Sequence, residues 1–168
     1  MRDIKRIKTE EGKSSSAWTK FKPLHKVIIN YFLSRISNKF PAGANQIFFK
    51  WMGVKIGKNV QIMPAPGFDI FFPELIEVGD GSIIGMECLV LCHEFTTNEF
   101  KYGGVKIGKN VLIGARAIIL PGVSIGDGAL ISAGTVVYEN VPSNVFAFGS
   151  PLQFKGLGEK SVQKKNKK

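Results

Sequence analysis

The chain has 168 residues and a formal net charge of +10, enough length for one domain with a core of its own. Two cysteines, Cys88 and Cys92, are too few for a secreted disulfide framework. The basicity sits at the ends: residues 1–26 carry eight Lys/Arg against three acids and residues 155–168 six Lys against one, while residues 27–154 hold nine of each.

Residues 1–16 read as a disordered basic tail, solvated or drawn to an anionic surface or substrate. No nucleic-acid-binding motif accompanies the charge, so no nucleic-acid partner is expected. The opening lacks the apolar stretch of a signal peptide, which makes a cytoplasmic location the expectation. Residues 17–53 predict a helical cap. Phe21, Leu24, Ile28, Tyr31, Phe32 and Ile36 recur at helical spacing over 17–38. Pro41 and Gly43 end that helix, and Gln46–Trp51 predicts a second short helical turn. Its segment VIINYFLSRI is too short, and too interrupted by Asn30 and Arg35, to span a bilayer. The aromatic face predicts a lid on the open end of whatever follows. The rival reading lays this helix on the inner face of a membrane, with Lys20, Lys22 and Lys26 at the headgroups.

From residue 107 to 142 the chain counts in sixes. Branched aliphatics fall at Ile107, Ile113, Ile119, Ile125, Ile131 and Val137, and a small or branched residue follows each by four: Val111, Ala117, Val123, Ala129, Thr135 and Val141. The same unit occurs at Ile56-Gly57-Lys58-Asn59-Val60 and from Val78 through Ile84 to Val90. A period of six fits neither the helical 3.6 nor strand alternation. It fits a short extended stretch and then a bend, with Gly or Asn supplying the dihedrals. Three units close one turn of a β-solenoid of about 18 residues, which is stable only when stacked on neighbours. The expected fold is therefore an all-β solenoid over 54–142 with a helical cap, and residues 143–168 form a C-terminal cap and lysine-rich tail.

Two stretches break the rhythm. Pro64–Ile76 shortens the phase by two and sets Asp69 among aromatics. Glu94–Lys106 puts Thr96 and Tyr102 where inward aliphatics belong, so 94–106 leaves the column as a loop. Sites favour loops on rigid scaffolds. His93 stands where the departure begins, and a histidine accepts a proton near neutral pH, as deprotonating a hydroxyl requires. His25, on the helix, reads as a surface or cap residue. Cys88 fills an inward slot of the column, and Cys92 as an acyl-carrying nucleophile is a weaker alternative.

Taken together, the histidine, the excursion, the IG…IG…PGVSIGDGA…AGTVV run and the closing FAFGSP resemble the hexapeptide-repeat acyltransferases. The nearest patterns are the galactoside, maltose and capsule-sugar O-acetyltransferases. NYFLSRI…FFKWMGVKIGKNV is similar to the lead-in of polysaccharide O-acetyltransferases, and the resemblance covers residues 54–155. It implies a left-handed parallel β-helix, a homotrimer, and acetyl-CoA held between subunits as acyl donor, with no metal. His93 matches the catalytic base. Gly114, Ala115, Ala133 and Gly134 match positions along which the pantetheine arm lies. Tyr138-Glu139 stands where the family commonly has Thr-Lys, which leaves Lys155 as the candidate for the CoA phosphates. Asp69 is a candidate for an acceptor hydroxyl or, equally, a structural carboxylate, and Glu94 for orienting His93, meeting the acceptor or simply opening the loop. The implied reaction is O-acetylation of a sugar or glycan precursor. An N-acetyltransferase acting on an amino sugar and an inactive trimeric scaffold are the alternatives. The γ-class carbonic anhydrases share the fold type but need three zinc-binding histidines, and only His93 lies in the repeat region.

Overall fold

The computed structural model describes residues 1–157; the lysine-rich tail expected beyond them lies outside the described residues. The six-residue unit builds a left-handed parallel β-helix, each unit a short strand and a bend, three units to a coil. Face one stacks Lys55–Ile56, Ile76–Val78, Val105–Ile107 and Ser124–Ile125. Face two stacks Gln61–Ile62, Ile83–Ile84, Leu112–Ile113, Leu130–Ile131 and Val145–Phe148. Face three stacks Gly67–Phe68, Leu89–Val90, Ile118–Ile119 and Val136–Val137. Undisturbed coils repeat at eighteen residues: Ile107 pairs with Ile125, Ile113 with Ile131, Ile119 with Val137. The inward aliphatics therefore lie one above another. Ile62, Ile84, Ile113 and Ile119 are wholly buried, as are Cys88, Ala117 and Ala129 in the small-residue slots.

The bends work because certain residues accept the left-handed region. Between faces one and two the position is filled in successive coils by Asn59, Gly81, Asn110, Gly128 and Asn144, all with φ between 52° and 71°; Asn and Gly tolerate this best. Asp80 and Asp127 brace the same corner, their Oδ1 atoms accepting from the N–H groups of Lys58 and Lys109 at 2.7 and 2.8 Å.

Both breaks in rhythm enter at the corner between faces three and one. At the first, Ile56 pairs with Val78 and Phe68 with Val90, twenty-two residues on rather than eighteen. The coil is thus lengthened by four where the sequence suggested a phase shortened by two. In a six-residue repeat the two leave the same pattern. The second break is not an irregular loop: His93–Phe95 and Glu99–Tyr102 pair as an antiparallel hairpin.

That hairpin corrects the reading of residues 1–16 as a disordered tail. Lys5–Lys8 adds antiparallel to Glu99–Tyr102, with Ile7 opposite Phe100, and the Asp3 N–H donates to the Gly122 carbonyl at 2.9 Å. The hairpin's free edge satisfies the N-terminal backbone, a long-range pairing that no local pattern announces.

The cap also differs from one helix over 17–38. A 3₁₀ helix spans Ser14–Lys20, and Pro23 then starts α1, Leu24–Ser37. The second helix, α2, spans Gln46–Met52 and stops at Gly53, φ 108°. It closes the column, burying Phe49 and Met52, with the Phe49 ring 4.8 Å from that of Phe68. The lid is therefore α2. By contrast, α1 turns Val27, Asn30 and Ser37 inward and leaves most of its large apolar side chains outside. At the other end, Gln153–Gly156 folds back antiparallel on Val145–Phe148.

Close coil stacking makes a stability test. A Cβ on Gly85 would stand 2.6 Å from the Ile113 carbonyl oxygen in the next coil. Gly85→Ala should cost about 1–3 kcal/mol by overpacking, read by chemical denaturation. A variant as stable as wild type would show that the coils can move apart without penalty.

Candidate active site

The two insertions leave the same corner in successive coils, which brings Asp69 and His93 together across twenty-four residues. The Asp69 side chain is wholly buried and that of His93 is 15% exposed, with Nδ1 2.6 Å from Asp69 Oδ2. The backbone fixes the carboxylate from every side. Oδ1 accepts the N–H groups of Phe71 and Phe72 at 2.8 and 3.0 Å, and Oδ2 accepts that of Cys92 at 2.7 Å. Burial pushes the Asp69 pKa up. The His93 hydrogen bond and charge, with the Cys92 and Phe72 N–H groups, outweigh it and hold the carboxyl below its ordinary value.

An ionised Asp69 makes Nδ1 the protonated nitrogen of neutral His93 and leaves the Nε2 lone pair to accept. Rings lock the imidazole: Phe71 and Phe95 meet it edge-on at centroid distances of 4.7 and 5.0 Å, and Trp18 in turn packs on Phe71 at 4.8 Å. The site is thus a buried carboxylate and a clamped histidine with one nitrogen free to take a proton.

This geometry reassigns two candidates. Asp69 cannot meet an acceptor hydroxyl, because both oxygens already accept two donors each and the residue is 3% exposed; it orients His93. Glu94 does not do so. It follows His93 on a strand and faces away from it, pairing with Arg2 Nη1 at 3.2 Å. Arg2 also reaches the Pro121 carbonyl at 3.4 Å. Cys92 is wholly buried, and burial, with the charge of Asp69, pushes its thiol far up, which rules it out as a thiolate nucleophile.

The small residues sit at the corner between faces two and three. Met86, Glu87, Ala115, Arg116, Ala133 and Gly134 line an open groove there. A Cβ on Gly134 would meet nothing within 4 Å, so the backbone is bare to an incoming chain. Glu87 and Arg116 hold left-handed φ of 56° and 58° and pair with each other at 2.6 Å. Gly114 is different. Its missing side chain faces Ser132 and Ala133 of the next coil, and its N–H donates to Ile131; it packs coils rather than lining the groove. Lys155 pairs with Phe146 on the edge of face two and does not line the groove. Beside Tyr138 and Glu139 the cations are instead Arg2 and Arg6, from the N-terminal segment.

What sequence reasoning missed is the partner of His93 and the clamp around it. The available signal was that PAPGFDIFF and LCHEF interrupt the count at the same corner.

The coil architecture agrees with the known proteins this chain is similar to. The family model for the hexapeptide repeat of succinyl-transferase matches residues 104–139. The Bacillus subtilis (strain 168) protein YvoF, assigned to the acetyltransferases, is 38% identical over 148 residues, covering 83% of this chain and 84% of its own. The chain belongs to the hexapeptide-repeat acetyltransferases. The Escherichia coli (strain K12) galactoside O-acetyltransferase is 45% identical over 62 residues, 36% of this chain and 30% of the enzyme. In structure, a Vibrio cholerae O1 biovar eltor hexapeptide-repeat acetyltransferase solved with acetyl-CoA superposes with TM-score 0.68, over 86% of this chain and 91% of its own, at 18% identity.

The depressed Asp69 pKa sets a pH signature. A folded value below the unfolded one gives stability that is complete above the ordinary carboxylate pKa of about 4 and lost as the pH falls through the folded value. Wild type should therefore melt well above Asp69→Asn at neutral pH, and the gap should narrow steadily in melts taken toward strong acid. A gap that does not change with pH would mean that Asp69 is not an ionised partner of His93.

Proposed function

We propose that this chain transfers an acetyl group from acetyl-CoA to a hydroxyl of a sugar or glycan precursor, with His93 as general base. The observation that carries the reading is the Asp69–His93 pair, 2.6 Å apart at the one corner where both insertions leave the column. A hydroxyl becomes a competent nucleophile when its proton leaves as the new C–O bond forms. His93 Nε2 takes that proton, Asp69 stabilises the resulting imidazolium, and the proton passes to the sulfur as the thioester C–S bond breaks. The surrounding rings of Phe71 and Phe95 keep competing water away from the base.

The donor fits the groove of Ala115, Ala133 and Gly134, where small residues let an extended arm approach the main chain. The similarity to a Vibrio protein solved with acetyl-CoA supports this donor, and the galactoside O-acetyltransferase relative supports a sugar acceptor.

Groove and histidine border opposite edges of face three, so within one subunit they point apart. A homotrimer that sets the groove of one subunit against His93 of the next resolves this, and the surface chemistry supports it. Face one points Lys55, Glu77, Lys106 and Ser124 outward. Faces two and three point out Ile83, Leu112 and Leu130, and Leu89, Ile118 and Val136. Leu89 and Leu112 are each 40% exposed in the single chain.

Thiol release from acetyl-CoA with a panel of sugar acceptors tests the reaction. His93→Ala should lower kcat/KM by roughly 10²–10⁴ with CoA binding retained, and Asp69→Asn by at least about tenfold through lost orientation. Equal turnover in wild type and His93→Ala, or none with any acceptor, would overturn the reading. The assembly is tested separately by light scattering. Wild type should show three chain masses of 18.4 kDa, and Leu89→Glu/Leu112→Glu should show one.

A further inference from the structure

In α1 the usual amphipathy is reversed. The side facing the protein holds Val27, Asn30 and Ser37, with Leu33 half-buried against the core, and the Asn30 amide donates to the Ile70 carbonyl at 2.8 Å. The side facing out holds Leu24, Ile28, Ile29, Tyr31, Phe32 and Ile36, exposed by 41–61%. Ile47 and Trp51 of α2 extend the same surface, at 48% and 65%. A folded chain that buries polar groups and presents its largest apolar ones has an apolar partner for that face, since contiguous patches of this kind are rare on free monomers.

Charge identifies the partner. Between Gly12 and Phe68 the chain carries nine Lys/Arg and no Asp or Glu. Lys20, Lys26, Arg35, Lys39 and Lys50, all exposed, lie on or beside the two helices. Lys22 is the exception, paired with Glu74. A second copy would bring the same cations to the same face and be repelled. An anionic bilayer meets both demands, with apolar rings at the acyl boundary and cations among the headgroups. Among the described residues no helix is long and apolar enough to cross a membrane, so contact lies in the interfacial plane.

We propose that the outer face of α1, continued by Ile47 and Trp51 of α2, docks this protein on an anionic lipid bilayer. The surface borders the catalytic corner through the cap: Ile70, which accepts the Asn30 amide, is the neighbour of Asp69 and Phe71. A docked enzyme would thus hold His93 near acceptors that are displayed at the membrane.

Co-sedimentation with vesicles tests this without catalysis. Wild type should pellet with phosphatidylcholine vesicles containing phosphatidylglycerol and at least about tenfold less with phosphatidylcholine alone, as several basic contacts require. Ile28→Glu/Phe32→Glu should abolish binding while its circular dichroism matches wild type. Lys26→Gln/Lys39→Gln should weaken it by about fivefold per residue. His93→Ala should bind as wild type does, so a failed acetyl-transfer reading leaves this test intact. The proposal falls if wild type ignores anionic vesicles, binds neutral ones equally, or is unaffected by Ile28→Glu/Phe32→Glu. It also falls if that variant changes only the mass in solution, which would make the face a contact between copies.

Discussion

Register between stacked coils is the constraint on which the rest depends. Each coil satisfies its backbone in the next, from Gly57 N–H on Val78 through Gly79 on Ile107 to Gly108 on Ile125, so every strand must return at the same height and in the same phase. A residue added within a strand would turn its inward side chain outward. Extra chain is tolerated only at corners, where it leaves the column and rejoins in register. Both insertions use one corner, and the residues at their roots, Asp69 and Cys92-His93, are consequently held by the ladder itself: Asp69 N–H donates to Val90 and Gly103 N–H to Cys92. The precision of the Asp69–His93 pair is inherited from the scaffold.

Burying Asp69 has a cost, since an ionised carboxylate inside a protein is strongly disfavoured without partners. Three backbone N–H groups and one imidazole supply them. A simpler way to stabilise this corner would be an apolar side chain against Phe68 and Phe72. The charged solution fixes which nitrogen of His93 faces the carboxylate and which is left to accept a proton. The aromatic packing has the matching effect on geometry. Held between Phe71 and Phe95, the ring has little rotational freedom to lose on reaction.

How far the sequence could be read follows from the range of the interactions concerned. Ile107, Ile113 and Ile119 were legible as a column because the repeat writes one structural unit every six residues, and the eighteen-residue pairing follows from it. His93 was legible because the rhythm breaks there. Asp69 was visible only as a carboxylate among aromatics; its role depends on a twenty-four-residue separation, two more than the lengthened twenty-two-residue coil, and the insertion's length was hidden by the period. The strand Lys5–Lys8 pairs with residues more than ninety positions away, and its lysines locally resemble a solvated tail. For α1 the periodicity was right and the direction wrong. Helical spacing marks an apolar face without saying whether that face looks toward the protein or away from it.

The N-terminal strand deserves a place in the chemistry as well as in the fold. It closes the free edge of the hairpin that His93 begins, and Arg2 ties the strand to Glu94 and to the Pro121 carbonyl on the following coil. Met1 adds a contact, its carbonyl accepting from Asn140 at 3.1 Å. A two-stranded hairpin standing alone from a solenoid is marginally stable, and a mobile hairpin would move Phe95 off the imidazole. Residues 1–8 convert it to a three-stranded sheet anchored on two successive coils. By that route a segment far from His93 in sequence keeps the imidazole in place, and the positive charge that reads as a tail contributes Arg2 and Arg6 to the corner where Tyr138 and Glu139 supply none.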